Sequence, residues 1–345
     1  ALDEVQRRNI RHVVLLGDYT DDGQRQATDR LAQMLRDHQR RFGTRFYAIP
    51  GNHDVFGPLG KHNSTRFVTG PDTSVLVTSA PKIAATEPGR AVLTPRMYCD
   101  GMPAGLLAMA EFGLFRQPEY LHWETPFGLS DRIEHRHYDA VSVSGRVTHC
   151  LMDASYLVEP APDLWLLMID ANVFEPRDEQ PDPARKHAFL DSANAGWNAV
   201  LRVKPFLMGW IADVCTRADR LGKHLLICSH YPVVDPFDDQ TGSESALFTQ
   251  TGVLRRTPAP AVADALIRAG VRHHFSGHVH ANSITRRTND MGQLTNIAVP
   301  SPVAFPPGFV VAHAKGMHPG IETVSLAGLP LDPALLAVYR AEAEA

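Results

Sequence analysis

The sequence contains no stretch of roughly 18 or more apolar residues, so no segment reads as a membrane-spanning helix. Net charge is small. The 34 Lys and Arg stand against 38 Asp and Glu, a formal charge of −4. That leaves no basic footprint for a nucleic acid and no general attraction to an anionic membrane. Cysteine is scarce: Cys99, Cys150, Cys215 and Cys228 are the only four, and no two form a CxxC pair. This argues against a structural zinc ribbon, and so sparse a set does not imply an oxidising compartment. Cys228 sits in an apolar run and reads as a buried free thiol. There is no internal repeat, no low-complexity tract and no visible signal peptide.

What is present is an ordinary globular composition, 44% hydrophobic and 21% charged. A length of 345 residues suits one α/β domain of about 200–250 residues with an inserted or appended part. Histidine is plentiful, at 17 residues. Residues 1–9 read as a helix end. Arg11–Gly17 (RHVVLLG) is a continuous apolar run of the kind found in a strand covered on both faces. Residues 24–42 carry Ala27, Leu31, Leu35 and Phe42 at helical spacing, and Arg45–Pro50 is a second short strand. From Val55 to Pro162 the rhythm is lost, and this segment reads as an insertion at the rim of a site. Strands return at 163–170, 224–230, 271–276, 294–299 and 309–313. Helices are expected over 186–220, with a break at Pro205, and over 261–269; the tail from 333 reads as helical or frayed.

Four of these strands end in residues of the same kind: Gly17-Asp18-Tyr19-Thr20-Asp21, Gly51-Asn52-His53-Asp54, Ser229-His230 and Gly277-His278-Val279-His280. Ligands of open α/β sheets bind beyond the carboxyl ends of the strands. Asp, Asn and His offer oxygen and imidazole donors that suit Mn, Fe or Zn, and the glycines let the backbone pass close to a ligand. Each motif alone is weak. The four together, each after an apolar strand, point to a metal-lined, phosphate-sized pocket.

These residues resemble the calcineurin-like metallophosphoesterases, whose pattern is D-x-H, G-D-x-x-D, G-N-H-D/E, a lone His and G-H-x-H. The resemblance covers 1–54 and 163–315 and implies a layered α/β-β sandwich, with the catalytic domain at 1–54 and 163–330 and 55–162 as an insertion near the site. It implies that Asp18 bridges two metals, that Asn52, His230 and His278 complete the second, and that His280 binds the first. His53 would act as acid toward the leaving-group oxygen, oriented by Asp21. The implied activity is phosphate-ester hydrolysis by a metal-bound hydroxide at a dinuclear Mn, Fe or Zn site. Asn52, Tyr231 and Trp123 are the candidate substrate contacts, while Trp165, Trp197 and Trp210 read as core.

Two positions depart from the family's pattern. No D-x-H lies upstream of Gly17, so a longer N-terminus carrying it is expected; the reversed His137-Tyr138-Asp139 is the one look-alike. Asp22 stands where the protein Ser/Thr phosphatase branch has a phosphate-gripping Arg, which favours phosphodiesters over phosphomonoesters. A nuclease of the same fold is disfavoured by the negative charge, and a zinc hydrolase of the metallo-β-lactamase type by the absence of HxHxDH. The reading from another class is a non-catalytic scaffold that has lost the first metal site. The expected partner is a small phosphate ester, with no nucleic acid and no membrane span. Oligomeric state and compartment stay open, with the cytoplasm slightly favoured and an upstream export signal possible in principle.

Overall fold

The apolar runs become strands and the amphipathic stretches helices in a computed structural model that describes residues 1–70, 73–185, 187–237, 257–304, 306–313 and 319–328, with isolated positions beyond. The N-terminal unit is α1 (Leu2–Arg7), β1 (His12–Leu15), α2 (Arg25–Phe42) and β2 (Arg45–Ala48). The segment read as an insertion holds β3 (Ser64–Gly70), β4 (Thr73–Thr78), α3 (Pro81–Ala84), β5 (Ala91–Leu93), β6 (His122–Glu124), β7 (His137–Val141), β8 (Thr148–Met152) and β9 (Tyr156–Ala161). The remainder is β10 (Leu164–Ile169), α4 (Ser192–Val203), α5 (Phe206–Leu221), β11 (His224–Ser229), α6 (Pro260–Arg268), β12 (His273–Ser276), β13 (Ser283–Asn289), β14 (Gly292–Ala298), β15 (Gly308–His313) and β16 (Gly320–Ser325). The tail from 333 lies mostly outside the described residues.

The fold is mixed α/β. Among the described residues the largest sheet has seven strands in the order β13-β14-β12-β11-β10-β9-β6. β10, β11, β12 and β14 run parallel, with helical crossovers from β10 to β11 and from β11 to β12 and a return through β13 from β12 to β14, while β9 and β13 are antiparallel to their neighbours. Parallel neighbours need such crossovers, and all their carboxyl ends then face one edge. β1 and β2 form a separate parallel pair.

Two expectations change here. All four residues of β1 are half-buried rather than covered on both faces, because among the described residues β1 pairs with β2 alone. The segment 55–162 is also not separate from the framework, since β6 and β9 are strands of the seven-stranded sheet. β6 is only three residues long, too short to show a period. It is recognisable by what it buries: Trp123 is 2% exposed, and its indole N–H donates to Gly113 O at 2.9 Å. Glu124 of β6 accepts from Trp210 and Arg217 of α5, tying the edge strand to that helix. Burial works against the Glu124 carboxylate, but His122, Arg217 and Trp210 outweigh it and bring its pKa down to about 2.

At the break between α4 and α5, Lys204 is fully buried. Its ammonium lies 2.8 Å from Asp153 Oδ2, 2.8 Å from Asp170 O and 3.1 Å from Asp170 Oδ2. Burial alone would lower the Lys204 pKa, but the two carboxylates outweigh it and hold the group above its ordinary range. Buried Arg136 donates to the carbonyl oxygens of Asp153, Leu114 and Ser155. This charged knot anchors the carboxyl end of β10. Two residues on, Asn172 donates to Pro50 O at 3.0 Å and so braces the turn after β2.

Candidate metal centre

The turns after β1 and β2 touch, and glycine makes that approach possible. A Cβ on Gly17, which has φ +85°, would lie 2.5 Å from Gly51 N and 2.7 Å from His230 Nδ1. A Cβ on Gly51 would lie 2.3 Å from Asp18 Oδ1. Asp54 fastens the two turns. Its buried carboxylate accepts from the backbone N–H groups of Asp18 (2.7 Å), Gly51 (2.8 Å) and Tyr19 (3.2 Å). Burial pushes the Asp54 pKa well above the ordinary carboxylate range, and the neighbouring Asp18 adds to that. The sequence reading gave Asp54 no role, although its place in the Gly51–Asp54 motif was the available signal.

Around this joint the side chains of Asp18, Asn52, His230 and His278 converge. His230 Nε2 lies 3.1 Å from Asn52 Oδ1, 3.1 Å from His278 Nδ1 and 3.2 Å from Asp18 Oδ2. The ligand atoms of Asp18, His230 and His278 all lie within 4.8 Å of one another. His230 Nδ1 is 2.7 Å from Leu16 O, so that nitrogen carries the proton and Nε2 turns its lone pair toward the cluster. Asp18 Oδ2, Asn52 Oδ1 and His230 Nε2 bring lone pairs together, an arrangement that a cation among them would stabilise. One carboxylate, one carboxamide oxygen and two imidazoles are a donor set that borderline divalent metals accept. Asp18 (φ 50°) and His278 (φ 67°) are both held in left-handed backbone, which side-chain-bearing residues seldom adopt.

The other sequence-derived candidates fall in several places. His53 is half-exposed beside the cluster, and its backbone N–H donates to Asp18 Oδ1 at 2.8 Å. Its imidazole Nδ1 faces Asp22 Oδ1 at 3.2 Å. The carboxylate that faces the imidazole is thus Asp22 and not the expected Asp21, which is exposed. The turn after β1 brings the second of the adjacent acids inward, where Asn63 meets it. His280 is exposed and stands outside the cluster. Tyr231 is buried, with its hydroxyl donating to Asn172 Oδ1 and its ring edge-on to His230 and His278. It braces the imidazoles rather than opening to a substrate. Trp123 lies in the core, where no substrate reaches it. His137 and Asp139 are exposed on the β7–β8 hairpin. At the opposite ends of β11 and β12, a cavity of about 340 Å³ opens between His224, His273 and Arg272.

Comparison with known proteins bears on the first part of the site. Residues 1–98, which hold Asp18, Asn52, His53 and Asp54, match the family model of the calcineurin-like phosphoesterases. The N-terminal part of the chain is thus similar to that family, over 98 of the 345 residues. His230 and His278 lie beyond it and join it through geometry. No curated protein matches the chain. A crystal structure of a dimetal phosphatase from Danio rerio is similar at 15% identity and a TM-score of 0.40, covering 94% of this chain and 86% of that one. The structure departs from the expectations drawn from the sequence at two points: Asp22 is the partner of His53, and His280 lies outside the cluster.

Proposed function

We propose that this chain hydrolyses phosphate esters, phosphodiesters in preference to monoesters, at a dinuclear Mn, Fe or Zn site. The observation that carries the reading is the convergence of Asp18 Oδ2, Asn52 Oδ1, His230 Nε2 and His278 Nδ1, with His53 beside that group but outside it. Asp18, Asn52, His230 and His278 would hold one metal, and His280 with Asp18 would serve the other. Bound metal supplies positive charge to the phosphoryl oxygens and acidifies a water molecule. His53 has Nδ1 turned to Asp22, which leaves Nε2 to deliver a proton to the departing oxygen. Asp22 adds negative charge on that side, which disfavours a dianionic monoester more than a monoanionic diester.

The test has two parts. Purified protein reconstituted with Mn, Fe or Zn should hydrolyse bis-nitrophenyl phosphate faster than nitrophenyl phosphate; the reverse preference removes the diester reading. On an alkyl phosphodiester, His53→Ala should lower kcat by roughly 10²–10⁴ while metal content stays unchanged. The defect should shrink with a nitrophenyl leaving group. If His53→Ala strips the metal, His53 is a ligand and not the acid.

A second reading, a non-catalytic scaffold that keeps one metal, is favoured by the exposed position of His280. Metal stoichiometry separates the two. Two ions per chain support the enzyme, and one ion without turnover supports the scaffold.

A further inference from the structure

Asn63 belongs to the segment between β2 and β9, whose role in chemistry no motif indicated. Its side-chain N–H donates to Asp22 Oδ2 at 2.7 Å, and the other oxygen of the same carboxylate, Oδ1, faces His53 Nδ1 at 3.2 Å. Asn63 is itself fixed. It is 7% exposed, its backbone N–H donates to Ser79 Oγ at 3.1 Å, and its backbone oxygen accepts from Ser79 N at 3.0 Å. Its side-chain oxygen accepts from the Thr65 hydroxyl, so the amide N–H₂ is the end turned toward Asp22. From the same segment, Cys99 Sγ reaches Asp22 O at 2.9 Å, so Asp22 is gripped at backbone and side chain alike. The Gln24 side chain accepts from Asp22 N at 3.3 Å.

A flexible acid on a surface turn does not hold an imidazole in one orientation, because the entropy of fixing both side chains offsets the weak attraction. An acid whose second oxygen is already tied to a buried, rigid amide does. We infer that Asn63 is a positioning residue for the proposed reaction, acting through Asp22 to set the imidazole of His53 for protonation of the leaving group. The segment 55–162 thereby contributes to the chemical step as well as to the rim of the site. This rests on the reading of His53 as the acid, and it adds that the acid is assembled across two parts of the chain.

The experiment compares wild type, Asn63→Ala, Asp22→Asn, Asn63→Ala with Asp22→Asn, and His53→Ala, all metal-reconstituted, on an alkyl phosphodiester and on bis-nitrophenyl phosphate. Asn63→Ala is expected to lower kcat on the alkyl ester by about 3–10-fold, the effect of one lost hydrogen bond. KM and metal content should stay unchanged, and the nitrophenyl ester should be hydrolysed at nearly the wild-type rate. Asn63→Gln, which can still donate to Asp22, should recover part of the loss. In the double variant the Asn63 change should add little to Asp22→Asn, since both act through one contact. Should Asn63→Ala fold poorly, Asp22→Asn keeps the shape of the turn and must show the same dependence on leaving group. Equal losses on both esters, or losses that multiply in the double variant, overturn the inference while His53→Ala still shows its leaving-group dependence. A His53→Ala defect of one size on both esters overturns the acid reading, and this inference with it.

Discussion

The Asp54 carboxylate lies 2.7 Å from the backbone N–H of Asp18, so the residue that follows the His53 turn holds the one that opens the cluster. The same carboxylate takes the N–H groups of Gly51 and Tyr19. Replacement by Ala leaves three backbone donors without their acceptor, and each such loss costs about 1–3 kcal/mol. Asp54→Ala should therefore lower the denaturation midpoint clearly and weaken metal uptake, though Asp54 is no ligand. Asp54→Asn keeps one accepting oxygen and should fall between. Wild-type metal affinity in Asp54→Ala would remove Asp54 as the joint between the turns.

Lys204 offers a test of the buried charge knot. Lys204→Met removes the ammonium that pairs with both Asp153 Oδ2 and Asp170 Oδ2 and strands two carboxylates in the interior. Breaking a buried pair from one side costs about 3–5 kcal/mol. The expected result is a large loss in urea unfolding at neutral pH, partly recovered when Asp153→Asn is added. A loss below about 1 kcal/mol would mean that water already reaches the site.

His274 links stability to pH. The ring is fully buried between Asn296 Oδ1 at 2.8 Å and Ser229 Oγ at 2.9 Å, and burial lowers its pKa to about 4 from the ordinary 6.5. Between those values the unfolded chain binds a proton that the folded chain does not, so stability rises with pH there. The contribution is complete above pH 6.5 and is lost as pH falls toward 4, about 3 kcal/mol in all. His274→Gln should flatten that part of the pH–stability curve relative to wild type. Parallel curves for the two proteins would show that His274 is already charged in the fold.

The thiols give a simple count. Cys150 is exposed, while Cys99, Cys215 and Cys228 are buried, and burial pushes Cys215 and Cys228 up to about 12. One thiol per chain should react quickly with an aromatic disulfide in the native protein, and all four after denaturation. Cys150→Ser should abolish the fast phase. A fast phase that survives this change would show that a second cysteine is reached through local opening.

The candidate site was legible because its residues follow apolar strands in motifs that are complete within a few positions. Gly17-Asp18 and Gly51–Asp54 each specify a turn and a donor together, and His230 and His278 each follow a run that only a strand would bury. The apolar runs likewise determined that parallel strands would end on one edge. Tertiary structure decided everything that depends on which side chain meets which across the chain. Asp21 and Asp22 are adjacent acids with identical chemistry, and only the course of the turn, together with Asn63 from β3's approach, turns Asp22 toward His53. Tyr231 and Trp123 looked available for substrate, but burial is a property of the packed whole, and their polar atoms are used by Asn172 and Gly113. β6, with three residues, has no period to read, and it became part of the main sheet because Trp123 found its burial there. Local pattern records what a segment can bury or bind; long-range packing selects the partner.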